Sequence, residues 1–148
     1  MNLAEFGEYK EKIGTKIRAL PEIKALLGTG ANVDKQVLDM LYIPGIVSDA
    51  RTYILFDTDV PRVVDFEIKD VRIIIQVISH KSVVNRTNSS ELGNRNDLIS
   101  KYIDMELNGS RDFGIGRLAL SNVSIVRTDE GYYGRQLVYM ASEFNDRR

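Results

Sequence analysis

The sequence predicts an α+β protein in which N-terminal helices precede an antiparallel or mixed sheet of about four strands, packed against a further helix. Apolar residues recur at helical spacing over residues 2–20, whereas from residue 51 onwards short apolar runs are bounded by turn residues. A second helical pattern interrupts the strands at residues 94–107. This order of elements packs most economically as one sheet with helices against a face. We expect a single domain over residues 1–148.

The first 45 residues form the predicted helical segment. Residues 2–20 place their apolar side chains on one helical stripe. Pro21 opens a second short helix over 22–27, which the glycines at 28 and 30 end. Further helical turns are predicted over residues 32–40, and residues 42–47 are predicted to be extended. The stripe of the first helix consists of Leu3, Phe6, Tyr9, Ile13, Ile17 and Leu20.

The sheet-and-helix core is predicted over residues 50–145. A first strand over 52–56 stops at an aspartate-rich turn, and a second runs over 63–80. Within the second strand, residues 71–78 are apolar on both faces, which is typical of a central strand or of one whose second face is covered by a helix or a neighbouring subunit. The polar stretch 81–92 is predicted to be a mobile loop.

The second half of the core continues with a helix and two strands. Asn94 or Asn96 is the predicted cap of the helix, and Asn108-Gly109 supplies its left-handed end. The last strands are predicted at about 117–127 and 132–141, joined by a turn at 128–131.

Composition excludes several classes of function. The chain has 148 residues, 28% of them charged, with 20 basic and 21 acidic side chains and a formal net charge of −1. It has no cysteine and one histidine, so disulfides, thiolate metal sites and multi-histidine zinc sites are excluded. The balanced charge argues against a salt-driven nucleic-acid binder. Neither cofactors nor metals are expected.

We expect neither a secretion signal nor a membrane-spanning segment in this sequence. The N-terminus is acidic and lacks an apolar core, and the longest apolar stretch, residues 71–78, is too short to span a bilayer. We therefore expect a soluble protein made in a cytoplasm, without a membrane partner.

One pattern is typical of an enzyme. Asp57 and Asp59 precede Glu67-Ile68-Lys69, and an acid at a strand end followed by Glu-x-Lys on the next strand is how many restriction-type nucleases hold magnesium. The alternative interpretation is an aspartate-rich turn beside a solvated strand edge. Because such short patterns arise often by chance, a nuclease using Asp57, Glu67 and Lys69 is the second hypothesis.

The remaining polar residues favour contacts with protein. His80 and Lys81 end the long strand without a nucleophile or an orienting carboxylate nearby, so His80 is interpreted as a surface or interface residue. Tyr132, Tyr133 and Arg135 resemble a stacking surface for single-stranded nucleic acid. With balanced charges, a subunit contact is the favoured interpretation of these residues.

The layout of the second half resembles that of the small neck proteins of tailed bacteriophages, especially tail terminators of phages from Gram-positive hosts. The resemblance lies in the helix at 93–104 after the strand ending in Ser79-His80-Lys81, in Leu107-Asn108-Gly109-Ser110 and Phe113-Gly114-Ile115-Gly116, and in the terminal strands closing with Glu143-Phe144-Asn145. It covers roughly residues 50–145. Head-completion or stopper proteins share the size range and remain an alternative.

This resemblance implies a structural, non-enzymatic role. Tail terminators form a six-membered ring that caps the tail tube and docks the tail to the head connector, while DNA passes through the lumen. It implies as partners a second copy, the tail tube protein and head-completion or connector proteins, at the virion neck. The loop 81–92 and the turn 57–62 are candidate contacts. The candidate interaction residues are Asp57, Asp59, Arg62, His80, Lys81, Arg86, Tyr132, Tyr133 and Arg135.

A third hypothesis comes from another class of protein. A regulatory or ligand-binding α+β domain would be a monomer or dimer with a small-molecule pocket.

Overall fold

The computed structural model describes residues 3–28, 32–41, 51–85, 91–128 and 131–145. Within them the chain forms four helices and five strands. In chain order these are α1 (Glu5–Ala19), α2 (Pro21–Leu26), α3 (Val33–Gln36), β1 (Val37–Leu38), β2 (Thr52–Val63), β3 (Ile68–His80), α4 (Arg95–Leu107), β4 (Ile115–Arg127) and β5 (Tyr132–Phe144).

The five strands form one mixed sheet in the order β1-β2-β3-β5-β4. β1 is parallel to β2, and the other three pairings are antiparallel. Two long hairpins, β2–β3 and β4–β5, therefore lie side by side, joined through α4. The predicted fold class, helices followed by a sheet packed against a helix, is confirmed, with five strands where about four were predicted.

The fifth strand corrects the prediction of continuous helix over residues 32–40. α3 ends at Gln36, and Val37 and Leu38 pair with Ile54 and Leu55 of β2. The buried Gln36 amide donates to the backbone carbonyl of Thr52 at 3.0 Å, which ties the end of α3 to the start of β2. Tertiary pairing therefore outweighs the local helical pattern here.

The predicted turn at residues 57–62 is wrong, because β2 continues through it to Val63. Pairing with β3 shifts by one residue between Asp59 and Arg62, and this bulge accommodates Pro61, which has no N–H to donate. The turn lies instead at residues 64–67. There one carboxylate oxygen of Asp65 accepts the backbone N–H groups of Glu67 and Ile68 at 2.7 and 2.9 Å.

The other elements follow the predicted pattern closely. Asn94 caps α4 in a capping box with Asp97, and Gly109, at φ +83°, follows the end of the helix. β4 and β5 extend two or three residues beyond their predicted bounds. The predicted extended segment 42–47 lies outside the described residues, as do the middle of the polar loop, 86–90, and residues 129–130 of the last turn.

The main core lies between three helices and one face of the sheet. Val71, Ile73, Ile75 and Val77 of β3 are at most 1% exposed on this face, as their alternation predicts. They pack with Tyr9, Ile13 and Ile17 of α1 and with buried residues of α2 and α4, whereas Leu3 of the predicted stripe is exposed. On the opposite face a smaller cluster is confined to one end of the sheet and consists of Tyr53, Leu55, Ile78 and Tyr132, with Leu38, Leu41 and Val126 packed against it.

A buried ion pair joins the start of α1 to the sheet. The Lys69 ammonium lies 2.6 Å from a carboxylate oxygen of Glu5, and Lys69 is 0% exposed. One turn further along α1, the hydroxyl of Tyr9 donates to Glu143 of β5. Burial and this carboxylate raise the pKa of Tyr9 above its ordinary value. Both contacts hold α1 against the end of the sheet where the β2–β3 hairpin turns.

We predict that Lys69→Met lowers the free energy of unfolding by about 3–5 kcal/mol, because it leaves the Glu5 carboxylate buried without its cation. The double variant Glu5→Leu/Lys69→Met recovers most of that loss, since no buried charge remains. The matched control is Lys101→Met, whose partner Glu91 forms an exposed ion pair at 3.5 Å; its effect is expected to stay below about 1 kcal/mol. Urea denaturation measures all three, and equal effects of the two single variants would contradict the prediction.

A second prediction concerns alkaline pH. Tyr139 is buried and donates to Asp104 at 2.8 Å, and burial followed by this hydrogen bond raises the pKa of its hydroxyl above the ordinary 10.0. The folded state therefore keeps a proton that the unfolded state loses, so its contribution is complete below about pH 10 and declines as the pH rises further.

Tyr139→Phe is accordingly expected to show a shallower loss of stability above pH 10 than the wild type, measured by urea denaturation at successive pH values. The core variant Ile99→Val is the control, because it lowers stability by about 0.5–1.5 kcal/mol without removing a titrating group. Its curve should run parallel to that of the wild type. A parallel curve for Tyr139→Phe would refute the assignment.

Candidate interaction surfaces

The residues that the sequence singled out fall into two separate groups. One group lies on β2. The other lies where β3 ends and β5 begins. Arg86 lies outside the described residues. The first group is Asp57, Asp59 and Arg62, and the second is His80, Lys81, Tyr132, Tyr133 and Arg135.

The two aspartates of β2 are paired within the chain. Asp57 lies 2.9 Å from the ammonium of Lys10 on α1. Asp59 accepts two hydrogen bonds from the guanidinium of Arg72 on β3, the one from Nε at 2.8 Å, and this contact raises the pKa of Arg72. Arg62 is exposed beside Asp70 in the register of the hairpin. These residues therefore lie along an extended strand, not in a contact loop.

The nuclease arrangement is not assembled. Lys69 is buried against Glu5, whereas Glu67 is exposed in the hairpin turn. Lys69 pairs with Val63, which is six residues along β2 from Asp57, a separation of about 20 Å. Among the described residues, no group of three or more acidic or histidine side chains is placed to hold a metal ion. The Glu67-Ile68-Lys69 pattern was misleading, because in the fold Lys69 faces the helices.

Tyr132 corrects the expectation of an exposed tyrosine–arginine surface. It is 4% exposed and packs edge-on against Tyr53 and His80, with ring centroids 6.0 and 5.3 Å away. His80 lies at the end of β3, where its Nδ1 is 2.8 Å from the hydroxyl of Ser82. The backbone N–H of Lys81 donates to the carbonyl of Gly131, which closes this end of the hairpin pair.

Tyr133 and Arg135 position the first turn of α4. The Nε of Arg135 lies 3.3 Å from Asp97, and Asn96 donates to the backbone carbonyl of Tyr133 at 2.8 Å. Asn94, the cap of α4, is 3.4 Å from the Tyr133 hydroxyl. These side chains therefore hold the helix on the sheet, a packing role that leaves less of them available to a partner.

Exposed apolar side chains that the sequence did not indicate lie at the end of the β2–β3 hairpin: Val63, Val64 and Phe66, here called the hairpin tip, while Phe144 of β5 is exposed on the opposite face of the sheet from Val63. The exposed fractions of these residues, in that order, are 46%, 44%, 76% and 61%. Besides the Asp65 turn, Asn145 holds the tip in place by donating to the carbonyls of Glu67 and Asp65 at 2.7 and 2.8 Å. The signal was an apolar pair followed by Asp and Phe, which was interpreted as strand. The tip is therefore apolar, exposed and fixed by hydrogen bonds.

A second exposed apolar surface lies on the edge strand and is here called the β4 ledge: Val123 and Ile125. They are 50% and 63% exposed and share a sheet face with the helices. α4 lies over β5, where Asp97 meets Arg135 and Asp104 meets Tyr139, and it does not reach this part of β4. The alternation of side chains along β4 did not reveal the ledge, because it does not show which strand α4 covers.

A groove between α1 and the segment before β4 is lined mostly by charged side chains of both signs. Lys16 of α1 lies 2.7 Å from Asp112, and this hydrogen bond lowers the pKa of Asp112. Lys12 donates to the carbonyl of Asp112 at 2.9 Å. Glu8, Glu11 and Thr15 complete the lining of this groove.

None of the helices in the described ranges combines the length and apolar character that a membrane crossing requires.

Comparison with known proteins places the fold and the family. No curated protein matches the chain. Among solved structures, a chain in the virion of a native gene transfer agent (GTA) particle has a similar fold, with a TM-score of 0.61 and 19% sequence identity. The likeness covers 96% of this chain and 97% of that one. The model of the YomW family matches residues 9–141, nearly the whole described core, and the chain belongs to the YomW family.

Proposed function

We propose that this chain is a structural protein of a phage-like virion. The observation that carries the proposal is the similarity of fold, over nearly the full length of both chains, to a chain of a gene transfer agent virion. Membership of the YomW family is compatible with it. The described surface supports a structural role, because two groups of its exposed apolar residues lie at a hairpin tip and a strand edge, where another protein can contact them.

Within such a particle, the role we propose is that of a tail terminator in the neck. Six copies form a ring that caps the tail tube and joins it to the head connector, and the ring is assembled in the host cytoplasm. Its partners are a second copy, the tail tube protein and head-completion or connector proteins. A net charge of −1 suits a lumen through which DNA slides without specific binding. The remaining alternative is a head-completion or stopper protein.

The copy number in purified particles tests this role. Quantitative mass spectrometry of virions is expected to find six copies of the 16.8 kDa chain per particle, in the fraction that retains the neck after tails are detached. A ring protein is present in few copies because its interfaces close on themselves. Absence from particles, or copy numbers typical of a capsid or a tail tube, would contradict the proposal.

Deletion of the gene separates the two neck roles. Loss of a terminator leaves the end of the tube uncapped, so free tails of irregular length are expected in electron micrographs. Loss of a stopper leaves free tails of normal length beside heads. Complementation with the full chain is the control and should restore joined particles of uniform tail length.

A further inference from the structure

We propose that neighbouring copies in the ring contact each other through the hairpin tip of one copy and the β4 ledge of the next. This inference rests on the proposed ring function and assigns its subunit interface. It names two surfaces, Val63, Val64 and Phe66 on one side, and Val123 and Ile125 on the other, that no sequence motif had identified.

The two surfaces carry complementary chemistry. Three acids lie in or next to the hairpin tip: Asp65, Glu67 and Asp70. Arg62 is the exposed basic residue beside them, because Lys69 is buried against Glu5. β4 contains no acid, and of its two arginines Arg127 lies near the ledge whereas Arg117 lies at the other end of the strand. Arg127 of β4 shares a face with Ile125, two residues away, and is exposed. The hairpin tip, with acids beside its apolar residues, therefore complements the β4 ledge, with an arginine beside its apolar residues. Opposite charges placed in this way favour a specific interface.

The position of the surfaces suits a ring. The tip lies at one end of the β2–β3 hairpin, whereas the ledge lies on β4, at the edge of the sheet two strands away from β3. A contact between different patches of identical chains is heterologous, and repeated heterologous contacts close into a ring when their rotation fits. A contact of either patch with itself would give a two-fold dimer instead.

The construction of the tip lowers the cost of docking. Two hydrogen bonds to Asp65 fix the turn, and two from Asn145 bind it to the end of β5. Beside the tip, the Lys69–Glu5 pair holds β3 to α1. An apolar surface that is already fixed in shape loses little conformational entropy when it binds.

Reciprocal charge reversal tests the interface in the particle. Glu67→Arg and Arg127→Glu each place like charges across the proposed contact, so each is expected to reduce incorporation into virions about tenfold or more. The double variant Glu67→Arg/Arg127→Glu restores opposite charges and is expected to recover incorporation. Both side chains are exposed, so circular dichroism and thermal melting should show folded proteins throughout. The matched controls are Glu11→Arg on α1 and Arg111→Glu before β4, which are expected to incorporate normally.

The outcomes separate this inference from the proposed function. Normal incorporation of both single variants would overturn the interface while six copies per particle still supported the ring. A defect in Glu67→Arg alone would mean that the tip binds another virion protein, which also overturns the contact between copies. A double variant that is folded yet as defective as the single variants would contradict the pairing. If the wild-type chain is absent from particles, the proposed function fails first.

Discussion

The fold depends on an unequal covering of its sheet. The helices that the structure describes pack on one face, where β3 is buried completely, while the opposite face has an apolar cluster only at one end. The rest of that face is half-buried, with Gln76 and Gln136 joined by a hydrogen bond of 2.9 Å. Because α1, α2 and α4 are few and short against strands of twelve or thirteen residues, apolar surface remains at the sheet's margins.

Polar contacts, most of them only partly buried, fix where those margins lie. The Lys69–Glu5 pair and the Tyr9–Glu143 hydrogen bond attach α1 to the strands beside the hairpin tip, and Tyr139–Asp104 and Arg135–Asp97 attach α4 over β5. Directional contacts of this kind specify a single position for each helix, whereas apolar packing alone tolerates displacement. The hairpin tip and the β4 ledge are therefore exposed because the helices lie elsewhere on the sheet. The positions of the helices thus determine which apolar residues are left for the proposed contact between copies.

Local pattern predicted the elements whose signals lie within one segment. The stripe of α1, the Asn94 cap and the alternation of β3 were sufficient, because each depends on neighbours three or four residues away or on alternate residues. β1 and the continuation of β2 were not predicted, since both depend on strand partners distant in sequence. The same limit applied to the site. Glu67 and Lys69 were interpreted as neighbours on one strand, and only the fold shows that Lys69 is buried against Glu5.

The contact between copies is tested most directly by disulfide trapping, because the chain has no cysteine of its own. With Phe66→Cys and Ile125→Cys in the same chain, mild oxidation of assembled particles should give a ladder of cross-linked species that ends at six chains. Phe66→Cys alone should remain monomeric on a non-reducing gel. A double variant that stays monomeric in assembled particles, or a ladder that stops at two chains, would contradict a ring closed through the hairpin tip and the β4 ledge.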